Sequence, residues 1–400
     1  MTQTIATIDM ITKESQLVLH EALSFIPTIN RSFDDSFGKT GAKIGDALRI
    51  RLPARTTVRT GRAMNVQDQT DESVTLTVAT QKGLDFGFTS AEMALGIDYL
   101  SERYITPGIK NLVSQIEADV ISGVTKYVSA LAGSAGTAIT DLGPLGTARA
   151  YLNGQGTPMT DRSIMLDSVQ MASLVNGMKA QFFDPSAGQK AQREGYYGRM
   201  AMGDLYENEK LWTMTNGADV AGTLDTVTLA NGDVTIACAN MSGAPTAGMV
   251  FTLAGVYACH PETKANLGYL KQWVVGSGTA STTTSIKLDS AIYVSGAKQN
   301  CVVSSSYSTT GAITFVGNAS ALYRQGLMYH KDAFAFVTAD LPLMAGADKC
   351  VRQVQDGISV RVWQDGDIRN DQQLTRVDVL YGYQCIRPEY AARLIGAAVA

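Results

Sequence analysis

Apolar residues recur at helical spacing in one long stretch, alternate with polar ones in several short stretches, and form aperiodic runs between them. The clearest helix is predicted over residues 107–131. Ile109, Leu112, Val113, Ile116, Val120, Val124, Val128 and Leu131 fall on one continuous stripe. Thr106 suits the N-cap, and Pro107 suits the first helical position, where its missing N–H costs nothing. About 25 residues rising ~1.5 Å each make a spine of roughly 37 Å. Gly133, Gly136 and Gly143 then break the pattern.

Upstream, period-two alternation predicts a long hairpin over residues 46–88. Leu48, Ile50 and Leu52 alternate with Arg49 and Arg51, and Val74, Leu76 and Val78 alternate with Ser73, Thr75 and Thr77. Residues 53–72 between them carry charge rather than core. The outgoing side is basic, with Arg49, Arg51, Arg55, Arg59 and Arg62; the tip and return are acidic, with Asp68, Asp71 and Glu72. A two-stranded ribbon is marginal alone in water, so it is expected to rest on another surface. Residues 1–40 read as an arm. Thr12 caps a short helix carrying Leu17, Val18, Leu19, Leu23, Phe25 and Ile26, which Pro27 ends, and its apolar face has no local partner.

Beyond the spine, residues 144–215 mix short helices with buried strands. Ser163-Ile164-Met165-Leu166 reads as a strand, and Asp167 or Ser168 caps a helix with Val169, Met171, Leu174, Val175 and Met178. Residues 190–203, with Arg193, Tyr196, Tyr197 and Arg199, read as a mobile loop. Near residue 216 the composition turns to Thr, Ser, Gly, Ala and Val. Runs such as Asp233–Ile236, Met249–Leu253, Gln272–Val275 and Ser285–Leu288 recur at about ten-residue spacing, which predicts a small β-barrel or sandwich over residues 216–316. Its turn-like flanks suit a domain inserted into a host fold. Ala333–Val337 then makes a buried strand, and residues 357–362 and 374–381 a closing hairpin with its turn at Asp365-Gly366-Asp367. This order predicts an α+β fold rather than a doubly wound parallel sheet.

Composition narrows the function classes. Over 400 residues, 45% are hydrophobic but only 18% are charged, which argues against disorder and suggests surface buried beyond one monomer. The net charge of −4 gives no whole-chain basic footprint for nucleic-acid binding. No apolar run is long enough for a membrane span, and no secretory signal is visible. Cys238, Cys259, Cys301, Cys350 and Cys385 have no C-x-x-C spacing and read as reduced thiols of a cytoplasmic product.

Candidate chemistry is sparse. Gly38-Lys39-Thr40 resembles the end of a phosphate-binding loop, but Phe33 stands where its first glycine belongs. His260-Pro261-Glu262 gives half of a zinc-deaminase signature without the paired cysteines. With His20, His260 and His330 as the only histidines, no metal site, cofactor site or catalytic residue is expected. Trp212, Trp273 and Trp363 read as packing anchors.

Three stretches carry a family resemblance. They are residues 248–256 with Pro261-Glu262-Thr263-Lys264 and Gln272-Trp273-Val274-Val275; Tyr329-His330-Lys331-Asp332-Ala333-Phe334-Ala335-Phe336; and Tyr381-Gly382-Tyr383 with Arg387-Pro388-Glu389. With the order of elements, they resemble the major capsid proteins of tailed double-stranded-DNA bacteriophages, of the Hong Kong 97-type fold. The inserted β domain resembles that of the short-tailed Salmonella phage (P-twenty-two type) coat proteins. The resemblance implies an N-terminal arm (1–40), an E-loop hairpin (41–88), a P-domain (89–140 and 350–400), an A-domain (141–215 and 317–349) and an inserted barrel (216–316). It implies a non-catalytic shell of hexamers and pentamers, with a scaffolding protein and a portal as partners. Such a shell encloses double-stranded DNA without specific binding or membrane contact, and is assembled in the host bacterial cytoplasm. Arg49, Arg51, Arg55, Arg59, Arg62, Asp68, Asp71 and Glu72 are the expected subunit contacts. An encapsulin-like compartment and a carbohydrate-binding or adhesin-type β protein are the rival readings.

Overall fold

The computed structural model describes residues 23–32, 47–64, 66, 72–89, 106–178, 199–200, 203–218, 221–277, 281–344, 346, 348–355 and 358–398. The chain forms two compact units, each assembled from separated stretches.

The first unit comprises residues 1–50, 74–120 and 334–384. Four strands pair in the order Phe334–Ala339, Gln372–Cys385, Ile358–Asp367, Lys349–Gln355. Thr80–Thr89 adds to Gln372–Cys385, antiparallel from Thr89 opposite Gln372 to Thr80 opposite Tyr381. The hairpin pattern had placed this segment beyond its return strand; in the fold it belongs to a sheet. Ala47–Arg51 and Ser73–Thr77 form a separate two-stranded sheet, and their alternation matches the pattern: Ile50 and Leu76 are buried while Arg49 and Arg51 are exposed. The closing hairpin forms, but its turn falls at residues 368–371, since strand pairing continues through Asp367 opposite Gln372. Asp367 instead accepts from the Arg369 N–H at 2.9 Å and from Asn370 Nδ2 at 2.6 Å, an Asx-type closure of the turn.

Helix α1 (Thr106–Thr125) starts in this unit and ends in the second. Ile109, Leu112, Val113, Ile116 and Val120 are buried, as their spacing requires. It is one turn and a half shorter than predicted. Tyr127 and Val128 bond to carbonyls three residues back, a tightened final turn, and Leu131 lies in the strand Ala130–Ala132. Val128 and Leu131 are buried all the same, though neither belongs to the helix. Of the predicted arm, residues 23–32 are described, and the helix placed after Thr12 lies mostly outside the described residues. Phe25, Ile26 and Ile29 are buried against a distant stretch: Phe25 packs on Phe334 with ring centroids 6.0 Å apart, and Asn30 bridges Ala335.

The second unit comprises residues 51–73, 121–333 and 385–400. It contains a mixed sheet in the order Ala130–Ala132, Ala391–Ala398, Leu322–His330, Arg162–Leu166, Gly203–Glu207, Arg199–Met200, with Thr213–Thr215 also on Leu322–His330. Helices α2 (Gly143–Gly154) and α3 (Ser168–Met178) cover it, joining Leu145, Leu152, Met171 and Leu174 to Ile164, Met328 and Leu394 in one core. Of the predicted loop over 190–203, only residues 199–200 and 203 lie within the described residues. Gly133 sits at φ +101, and a Cβ there would strike the Ile395 carbonyl oxygen. Gly133→Ala is therefore expected to destabilise by about 1–3 kcal/mol, measurable as a lowered melting temperature of the free chain.

The rest of this unit is a seven-stranded sheet from residues 221–315. Its path runs Asn266–Val274, Val250–Cys259, Ala312–Phe315, Ala221–Leu224, Asp233–Ala239, Ser285–Ile292, with Cys301–Val303 also on Val250–Cys259. The sheet curls until its two ends meet. Val275 bridges Leu288, and the Gly276 N–H donates to the Lys287 carbonyl at 2.9 Å. Trp273, Phe251, Leu253, Ile236 and Phe315 fill the interior. Asn216 ties the two connecting segments together by donating to the Val316 and Asn318 carbonyls, both at 3.0 Å. All five cysteines are free, four of them buried.

Candidate assembly surface

The predicted contact residues fall in two groups. Arg49 and Arg51 project from the exposed face of the strand Ala47–Arg51. Arg55, Arg59 and Arg62 lie on the extended segment that follows, which holds no helix or strand. Asp68 and Asp71 lie outside the described residues. Glu72 sits where the loop returns, its carbonyl accepting from the Leu52 N–H at 2.8 Å.

Two of these side chains pair within their own chain. Arg55 Nη2 meets Glu389 Oε1 at 2.6 Å, and Glu72 Oε1 meets Lys298 Nζ at 2.7 Å. The hydrogen bond from Glu72 holds the Lys298 ammonium pKa above its ordinary value. Both pairs are partly solvated, so each contributes only about 0–1 kcal/mol. They fix the base of the loop rather than stabilise the fold. Beside them is an open cleft of ≈430 Å³ lined by Leu52, Val58, Glu72, Glu262, Arg387 and Tyr390. Arg387 lies 5.0 Å over the Tyr390 ring and donates to its hydroxyl at 3.0 Å.

Past the base, the loop braces itself locally. Arg59 Nη1 donates to the carbonyls of Gly61 and Ala63. Val58, Met64 and Val66 are 94%, 83% and 76% exposed. They share this segment with Arg55, Arg59 and Arg62. Sequence reasoning picked out the arginines and passed over these residues, although apolar positions inside a charged, aperiodic stretch were the available signal. Nothing local pointed to Glu389 or Lys298, which meet the loop only through the fold.

His260 Nδ1 accepts from the backbone N–H groups of Glu262 and Thr263, closing a turn. Among the described residues no three His, Cys, Asp or Glu side chains come together to hold a metal ion, and no helix is long and apolar enough to cross a membrane. Trp273 is a core anchor, whereas Trp363 and Trp212 lie under the guanidinium groups of Arg361 and Arg393.

Comparison with known proteins gives these surfaces a setting. Residues 209–396 match the family model of the P22 coat protein, gene protein 5. The matched stretch is just under half of the chain. A solved chain of Mycobacterium phage Che8 aligns with this chain at a TM-score of 0.51 and 13% identity, covering 93% of this chain and 90% of the other. The capsid of Ralstonia phage GP4 aligns at 0.46 and 8% identity over 93% and 88%, and that of the cyanophage P-SCSP1u at 0.45 and 11% over 90% and 86%. No curated protein matches. The alignment with the Che8 chain shows a shared mixed α+β fold.

Proposed function

We propose that this chain is a major capsid protein of the tailed-phage type that closes an icosahedral shell of hexamers and pentamers around double-stranded DNA, without making or breaking bonds, and that the loop over residues 53–72 joins neighbouring copies. The carrying observation is that Val58, Met64 and Val66 are exposed on the same charged segment as Arg55, Arg59 and Arg62, which the Arg55–Glu389 pair ties at its base. Many weak contacts of this kind sum across a closed shell. Within this reading residues 1–40 serve as arm, 41–88 as E-loop, 89–140 with 350–400 as P-domain, and 141–215 with 317–349 as A-domain. The curled sheet within 216–316 is the inserted domain. A scaffolding protein and a portal vertex complete assembly in the bacterial cytoplasm, and the net charge of −4 suits a container that releases its DNA.

The test is electron microscopy of the purified protein, alone and with a candidate scaffold. Reversing Arg59 and Arg62 together (R59E/R62E) is expected to cut the yield of closed shells at least about tenfold while leaving monomer melting unchanged, because exposed charges contribute little to the fold. Adding R55E also costs the chain its own Glu389 pair, so that position is tested separately. Normal shells from the R59E/R62E chain sink the proposal. Nuclease-protected double-stranded DNA in particles from infected cells supports a genome container, and its absence supports the encapsulin-like alternative.

A further inference from the structure

Arg393 is fully buried in the strand Ala391–Ala398, between Leu327 on one neighbouring strand and Leu131 on the other. Its guanidinium contacts three separate stretches of chain. Nη1 donates to the Gly248 carbonyl at 2.7 Å, directly before the curled-sheet strand Val250–Cys259. Nη2 donates to the Lys126 carbonyl at 2.9 Å, just past the end of α1. Its face lies 5.4 Å over the ring of Trp212, where the chain approaches the curled sheet. Gly248 has φ +90, and a Cβ there would come within 2.7 Å of Trp212, so that the backbone can approach only as glycine.

A second clamp lies beside the first. Gln272, on the curled-sheet strand Asn266–Val274, accepts from the Leu131 N–H at 2.7 Å and donates to the Leu131 carbonyl at 2.9 Å. Its amide thus extends the mixed sheet at its outer strand, as a peptide unit would. Leu131, Val250, Val274, Tyr323 and Ile395 form a small core there, distinct from the interior of the curled sheet.

A buried cation is costly, and apolar replacements of equal volume often stabilise a fold as well or better. What a packed methionine lacks is direction. A planar fork with two carbonyl acceptors and an aromatic face below fixes the angle between the pieces it joins. We propose that Arg393 is a positioning residue that sets the orientation of the curled sheet on the mixed sheet, with Gln272 as its second point, and that this orientation governs how regularly the capsid protein assembles. The last clause rests on the shell-building reading above; the first does not.

The test compares R393M, R393K and the milder Q272A with the unmodified full chain, by hydrogen exchange of the free protein and by electron microscopy after assembly. In R393M, amides near residues 126–132 and 246–250 are expected to exchange at least about tenfold faster. The interior strands Val250–Cys259 and Ser285–Ile292 stay protected, and the shells become irregular in size. R393K gives the same loosening, since an ammonium lacks the fork, and Q272A a smaller one. Unchanged exchange at the joint in R393M, or a loosened joint with shells as uniform as the unmodified chain's, overturns the proposal. If R393M fails to fold, Q272A decides by the same two readouts. A failure of the unmodified chain to make shells at all strikes the shell-building reading and leaves the exchange result standing.

Discussion

Asp378→Ala is expected to lower the stability of the free chain by about 3–5 kcal/mol, the usual cost of stripping one partner from a buried ion pair. Arg361 Nη2 and Asp378 Oδ2 are 2.6 Å apart, with side chains 5% and 1% exposed. Asp378 also accepts from Arg376 Nε at 3.0 Å. Arg361 in turn donates to the Pro342 carbonyl at 2.9 Å and lies 5.5 Å over Trp363. Removing the carboxylate leaves the guanidinium in place, desolvated and without its counter-charge. Replacing both residues by leucine should cost much less, because no charge is then stranded. Chemical denaturation of the two variants provides the check. A D378A chain as stable as the R361L/D378L chain would mean that the pair is solvated.

Glu117→Ala is expected to loosen the N-terminal segment and to cost about 3 kcal/mol, since each buried donor left without a partner costs about 1–3 kcal/mol. Glu117 is fully buried on α1, and its Oε1 accepts from the Ser24 N–H at 2.8 Å, the Ser24 hydroxyl at 3.1 Å and the Phe25 N–H. Farther along, the Asn30 N–H donates to the Phe334 carbonyl at 3.2 Å and the Phe336 N–H to the Asn30 carbonyl at 3.1 Å. Without the carboxylate, the segment loses its tie to α1 and keeps this short bridge and the burial of Phe25, Ile26 and Ile29. Tryptic cleavage after Arg31 should then accelerate well before the rest of the chain is cut. Glu117→Gln, which keeps an acceptor oxygen, should give a smaller effect. Equal cleavage rates for E117A and the unmodified chain would rule out the anchor.

What was legible in the sequence was what period and composition encode. The run at Arg162–Leu166 is wholly buried, the α1 stripe through Val120 is the helix core, and the shift near residue 216 marks an all-β region. The misread details share one cause, namely that distant partners override local pattern. Val128 and Leu131 keep helical spacing and are buried, though the helix ends before both. Asp365-Gly366-Asp367 has turn chemistry, yet pairing opposite residues 372–374 carries the strand through it. Glu117 reads as a polar-face residue until Ser24 and Phe25 arrive, 93 and 92 residues away. On the loop over residues 53–72, the arginines stand out by charge, but only the fold supplies Glu389, 334 residues from Arg55. Arg393 did carry a signal: an arginine inside the small apolar run Ala391–Ala398 is compatible with a strand only if buried acceptors await it.

The pairing of Thr80–Thr89 with Gln372–Tyr381 sets an order of events on the ribosome. The earlier strand is synthesised when its partner is still nearly three hundred codons away, and contacts of such separation form slowly and late. The curled sheet and its neighbours can close while translation continues, whereas the first unit must wait for the last tenth of the message. During that interval Leu84 and Phe86 have no sheet to join, and incomplete chains of this length are the species most prone to aggregate. A nascent chain therefore spends most of its synthesis half built, and any truncation before residue 372 should yield inclusion bodies rather than a smaller folded protein.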